Sequence, residues 1–181
     1  MKTPINLEAE IKILTREIEA SKALGKIVAF IAESNRIEGI TRPPTVDEYK
    51  EFVRFLALPK ITVKQLQRFV TVYQPNAVLR EKLGQDVYIG NSMPPRGGPA
   101  IRPALEKILR GAVKQQFVVS KDMPDNAYIT HLAYERLHPF TDGNGRSGRA
   151  LWAWQMQALP LGFLHAFYYQ TLAANSFSQK I

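Results

Sequence analysis

"HPFTDGNGRSGR", residues 138–149, decides how this chain is read. It sets a histidine, an acid, an asparagine, two arginines and three glycines directly before the apolar run "ALWAWQMQAL". A core element would not use these residues, but a site for an anion would. The glycines let the chain turn tightly and aim successive N–H groups at one point. A helix starting behind them adds unpaired N–H groups and the positive end of its dipole. Such an arrangement binds anions, most often phosphate.

Arg146 and Arg149 share one helix face beside those amides and can clamp further phosphate oxygens. Asp142 would repel a bare phosphate. Its place here suits a metal, and Mg²⁺ bridging a carboxylate and phosphates is the usual arrangement. His138 stands at the end of the preceding helix, before Pro139, and can face the same pocket. Its ordinary pKa of roughly 6.5 suits a general base. Taken singly, a histidine is usually structural, an arginine pair is usually surface charge and a glycine turn is usually just a turn. All of these must hold together for the stretch to be inert. It is not a P-loop, because no Lys-Ser/Thr follows the glycines, and His131, His138 and His165 lack zinc-ligand spacing.

The rest of the chain sets the frame. Its 181 residues fit one domain with a small extension, and 45% hydrophobic against 22% charged residues can bury a core. No apolar run approaches the ~20 residues of a membrane span, so no membrane partner is expected. The opening "MKTPINLEAEIKIL" does not read as a secretory signal. A cytoplasmic location is expected, and export as an effector without a classical signal would look the same. The absence of cysteine excludes disulfides, thiolate metal sites and thiol nucleophiles. A net charge of +8 attracts phosphate-bearing partners. No basic–aromatic run, zinc-finger spacing or RNA-binding motif accompanies it, which disfavours nucleic acid.

Apolar spacing predicts a mainly α chain. Thr3 and Pro4 read as a helix start, and the apolar face changes phase near Gly25. A second or bent helix then ends at Glu38 with Gly39 as its left-handed cap. Thr45 with Glu48, and Thr62 with Gln65, read as capping boxes. The first opens a helix burying Val46, Tyr49, Phe52, Val53 and Leu56. The second opens one burying Leu66, Phe69, Val70 and Tyr73. "VLREKLGQDVYIG" reads as a small hairpin. Further helices are expected over about 100–114, from Asp122 or Pro124 toward Leu137, from the quoted stretch to about Leu159, and over about 162–174.

The quoted stretch resembles the signature of the Fic domain, H-x-F-x-[D/E]-G-N-G-R-x-x-R, with every fixed position present. "DVYIGNSMPP" resembles that family's flap and "YYQTL" its closing helix. The resemblance covers about 45–172. It implies a helical Fic core over 45–181 with one small β-hairpin flap, after an N-terminal helical extension over 1–44. By resemblance, the activity is transfer of AMP from ATP to a Ser, Thr or Tyr hydroxyl of a target protein. His138 would take the hydroxyl proton and Asp142 would hold Mg²⁺. Gly143, Asn144 and Gly145 would form the anion hole, and Arg146 and Arg149 would bind the outer phosphates. Phosphorylating members carry a lysine at the position of Gly145, so a glycine here favours nucleotide transfer. The flap residues Val87, Tyr88, Ile89, Gly90 and Asn91 would take a target segment as an added strand.

"AESNRIEG" is the second informative stretch. Glu38 sits in a last helical turn, where the dipole disfavours a carboxylate unless a cation faces it. The stretch resembles the family's inhibitory motif, [S/T]-x-x-x-E-[G/N], with Ser34, Glu38 and Gly39 matching. This implies that Glu38 pairs with Arg149 and disturbs the seating of ATP. An autoinhibited protein adenylyltransferase is therefore expected, with oligomerisation left open. The alternatives are removal of AMP with Glu38 assisting water, transfer of another nucleotide or phosphate-bearing group, and a non-enzymatic basic nucleic-acid-binding module.

Overall fold

The computed structural model describes residues 7–89, 93–114 and 126–159. These carry α1 (Leu7–Ile37), α2 (Val46–Ala57), α3 (Val63–Tyr73), α4 (Ile101–Gly111), α5 (Asn126–Leu137) and α6 (Asn144–Met156). The chain is mainly helical, as its periodicity predicts. Thr3, Pro4 and the helix predicted over 162–174 lie outside the described residues.

α1 is one helix through Gly25, where the change of phase predicts either a second helix or a bent continuation. A glycine inside a helix costs about 1 kcal/mol relative to alanine, too little to end it. The predicted left-handed cap at Gly39 does form, with φ 76°. Both predicted capping boxes are present, at Thr45–Glu48 and Thr62–Gln65.

α2 follows its apolar spacing in part: Phe52 is buried, and Tyr49 and Leu56 pack against the core. Phe52 and Phe55 are in the core, while Val46 and Val53 are exposed and Glu48 and Glu51 are buried. The reason is pairing. Arg42 holds Glu48, and Arg54 and Arg68 hold Glu51, so both carboxylates can leave water. α3 follows its pattern, burying Leu66, Phe69, Val70 and Tyr73. Rings of Phe30, Phe52, Phe55, Phe69 and Tyr73 make tilted contacts, with Phe69 stacked on Tyr73, and tie α1, α2 and α3 together. α6 runs through the centre, against α1, α2, α3 and α5. Its Trp154 is buried and donates to the Leu58 carbonyl at 2.7 Å.

Among the described residues, 78–81 and 86–89 form no ladder. Leu79 instead bridges antiparallel to Phe140. Arg80 N–H donates to the Pro139 carbonyl (2.9 Å), Thr141 N–H to the Val78 carbonyl (3.0 Å), and Gly98 N–H to the Arg80 carbonyl (2.9 Å). The backbone groups of 78–80 are therefore taken by the 138–149 loop and by Gly98. Gly90 and Asn91 of the expected flap lie outside the described residues. No helix among the described residues is long and apolar enough to cross a membrane.

Arg80 fixes this seam. It is fully buried, and its guanidinium donates to the carbonyls of His138 (2.7 Å), Leu137 (2.9 Å), Pro95 (3.0 Å) and Gln85 (3.2 Å). Arg80→Ala strands these acceptors and should cost roughly 3 kcal/mol or more. A urea midpoint within error of wild type would show that the seam does not depend on it.

Candidate functional site

The end of α5 sets the first functional side chain. His138 N–H closes the last helical turn on the Tyr134 carbonyl at 2.9 Å. His138 itself takes the left-handed conformation, φ 47°. That is unusual for a side-chain-bearing residue, and Pro139 behind it forbids further helix. Arg80 holds the His138 carbonyl in this pose. Burial lowers the imidazole pKa, and Arg80 lowers it further, while the Glu135 carbonyl, Glu38 and Asp142 oppose the shift without reversing it. The ring is therefore neutral at pH 7.

Phe140 is a core residue, 1% exposed, and anchors the loop. The Asn144 side chain spans it, accepting from Phe140 N–H (2.9 Å) and donating to the Phe140 carbonyl (2.8 Å). Asn144 thus braces the loop with its amide. Gly143 caps α6 with φ 76°. A Cβ there would be strained and would press on Val70 and Gln74 at 3.4 Å. The first α6 turn leaves the N–H groups of Asn144, Gly145 and Arg146 without helical acceptors, all opening beside the loop.

Arg146 is buried, donates to the Tyr73 carbonyl at 3.2 Å and lies over the Tyr73 ring at 5.8 Å. Arg149 is 1% exposed. It donates to Ser34 Oγ (2.8 Å), to the Ser34 carbonyl (2.8 Å) and to Glu38 Oε1 (2.6 Å). The two sequence motifs, 111 residues apart at Glu38 and Arg149, therefore meet in one ion pair. Glu38 keeps 34% of its side chain exposed, so it closes the pair from the open side. Gly145 lies under that carboxylate, and a Cβ there would collide with Glu38 Oε1.

Asp142 is exposed at the loop's rim. Its Oδ1 accepts from Gly143 N–H at 2.5 Å, and its Oδ2 accepts from the Gln74 amide. One hard carboxylate beside free helix amides fits Mg²⁺, which takes few protein ligands together with phosphate and water oxygens. The Gln74 amide would have to turn off Oδ2 for it.

Residues 57–156 match the family model described as Fic/DOC family. The chain belongs to the Fic/DOC family. No curated protein matches it. The matched span runs from the end of α2 to the end of α6, so it holds the 138–149 loop but not Ser34 or Glu38. Fic/DOC domains typically transfer nucleotide or phosphate groups to proteins, which gives this chain a transferase role in general.

Several residues of this Fic/DOC site have no mark in the sequence. Gln74 reaches Asp142 from 68 residues away. Tyr73 supports Arg146, and Tyr134 shares a 2.7 Å hydrogen bond with Ser147. His131 and Glu135 have the i, i+4 spacing of one helix face, a signal that was present but passed over. The Glu135 carboxylate lies against Gly148 and its Oε1 is buried. Burial pushes its pKa up to about 7, with Glu38 adding and Arg149 partly offsetting.

The sign of the Glu135 effect is testable. Between its unfolded value of 4.5 and about 7, the folded chain holds a proton that the unfolded chain has lost, so this contribution falls as pH rises. His131, lowered from 6.5 to about 4 mainly by burial, acts in the opposite direction. The informative quantity is therefore the difference between Glu135→Gln and wild type. The stability of the variant relative to wild type should grow as pH rises from 4.5 to 7. A flat difference in urea midpoints over that range would contradict the buried neutral carboxyl.

Proposed function

We propose that this chain is an autoinhibited protein adenylyltransferase, moving AMP from ATP to a Ser, Thr or Tyr hydroxyl of a target protein. The observation that carries this reading is the 2.6 Å pair between Glu38 and the buried Arg149, set beside a free helix N-terminus and a neutral histidine. In the transfer step, His138 removes the proton of the target hydroxyl. The hydroxyl oxygen forms a bond to the α-phosphorus, and the bond from that phosphorus to the β-phosphate bridging oxygen breaks, releasing pyrophosphate. The amides of Asn144 and Gly145 and the two arginines neutralise charge on the phosphates, and the Gly143 amide joins them once it leaves Asp142 Oδ1. Mg²⁺, when bound at Asp142, adds to that neutralisation. Target segments dock along 87–91, where Tyr88 is 73% exposed and Ile89 42% exposed. Glu38 competes with the γ-phosphate for Arg149, so ATP seats badly while α1 is in place.

Glu38→Gly is the decisive variant. Removing one half of a buried pair ordinarily costs about 3–5 kcal/mol. Here the γ-phosphate can replace the lost partner, and Glu38 is partly open to water, so stability in the presence of ATP should change little. AMP should appear on the protein itself or on a target, read by mass spectrometry after incubation with ATP. Arg149→Ala, alone or with Glu38→Gly, should show none. Loss of AMP removal from a pre-modified target in Glu38→Gly would mark the opposite reaction as the real one.

His138 gives a second test. Because burial holds its pKa below 6.5, the acid limb of kcat/KM in Glu38→Gly should fall below pH 6.5. His138→Ala should lose transfer by roughly 10²–10⁴-fold while still binding ATP. An acid limb above pH 6.5 would remove His138 from the role of base.

A further inference from the structure

Glu38 stands one residue beyond the end of α1, so something must hold that end on the core against a competing triphosphate. The pair with Arg149 is half of the answer. The other half lies on the far side of the turn. Asn35, next to Ser34, is fully buried. Its carbonyl accepts both Glu38 N–H (2.9 Å) and Ile40 N–H (3.0 Å), so it closes the turn that carries Glu38. Its side-chain amide points the other way, toward Glu48 Oε2 (3.4 Å) and Oε1 (3.5 Å).

Glu48 is 2% exposed and is used four ways. Arg42, from the connector after α1, grips it with both terminal nitrogens, at 2.8 and 2.9 Å. Thr45 N–H donates to Oε2 at 2.7 Å, and Thr45 Oγ1 accepts from Glu48 N–H at 3.1 Å. The Glu48 carbonyl takes the Tyr73 hydroxyl at 2.9 Å. Burial by itself would raise its carboxyl pKa. The hydrogen bonds from Arg42, Thr45 and Asn35 outweigh it and leave the pKa below the ordinary value. This carboxylate is therefore charged and committed. One charge fastens the turn of α1, the connector and the first turn of α2 together.

We infer that Glu48 is a positioning residue acting through Asn35 and Arg42, and that it sets how firmly Glu38 sits on Arg149. The inference rests on the autoinhibited reading for its effect on transfer, but not for its effect on the α1 turn. Neither Glu48 nor Arg42 belongs to the 138–149 loop. Loosening them frees Glu38 without altering His138, Asp142 or the two loop arginines.

The test uses the full chain with Glu48→Gln, Arg42→Ala and, as reference, Glu38→Gly. Glutamine still serves a capping box, so Glu48→Gln keeps the start of α2 while removing the charge that Arg42 and Asn35 share. Amide hydrogen exchange over residues 34–40 should quicken by roughly tenfold in both node variants, with α3 amides unchanged. Transfer of AMP should rise in both, to less than the level of Glu38→Gly. A protein that was merely destabilised would lose transfer, not gain it. Exchange over 34–40 equal to wild type in both node variants overturns the inference. So does a silent Glu48→Gln beside an active Glu38→Gly. Faster exchange with no transfer even from Glu38→Gly upholds the node and overturns the adenylyltransferase reading.

Discussion

A guanidinium as deeply buried as that of Arg149 must be neutralised in every state the protein visits. It comes from the first turns of α6, the helix against which α1, α2, α3 and α5 all pack. Its surroundings therefore cannot simply relax to let water in. In the state described here the partners are Ser34 and Glu38. The N-terminal helix is thus docked by an electrostatic demand of the core, and its apolar residues Phe30 and Ile31 follow it in. An anion that satisfies Arg149 as well as Glu38 does is the natural means of exchange between the two arrangements.

Much of this was legible because it was local. Both capping boxes, the glycine cap of α1 and the apolar stripe of α3 are written within a few residues each, and they formed as read. The 138–149 loop was legible for a different reason: its glycines, histidine and arginines are costly anywhere but at a site. Other features depend on partners distant in sequence. The stripe reading of α2 held for Tyr49, Phe52 and Leu56 but also favoured Val46 and Val53, which are exposed, while Glu48 and Glu51 are buried because arginines outside that window meet them. An apolar pattern treats every charge as outward-facing and cannot see a neutralised pair. The same blindness hid Gln74, whose only link to Asp142 is through the fold.

The segment after α3 fails the local reading in another way. Its β-prone pieces are real, but Leu79 finds its partner in Phe140, 61 positions on (140 − 79), instead of across the nearest turn. The loop supplies the backbone groups that a hairpin would have supplied, and Arg80 fills the space beneath with a fork of donors. Consequently the residue expected to take the proton is held by hydrogen bonds from both sides of this seam. Tyr73, the last residue of α3, extends that order toward α2. Its carbonyl meets Arg146 and its hydroxyl meets the Glu48 carbonyl, so the base of α2 and a loop arginine share one rigid support.

The contact between Gly145 and the Glu38 carboxylate has a consequence on the scale of descent. The backbone at Gly145 is ordinary helix, so its own conformation would accept a side chain, and the Glu38 carboxylate is what such a side chain would meet first. A larger residue at that point would have to displace the end of the Glu38 side chain from its seat on Arg149. Over descent, positions 38 and 145 are therefore constrained together by space, as 38 and 149 are by charge.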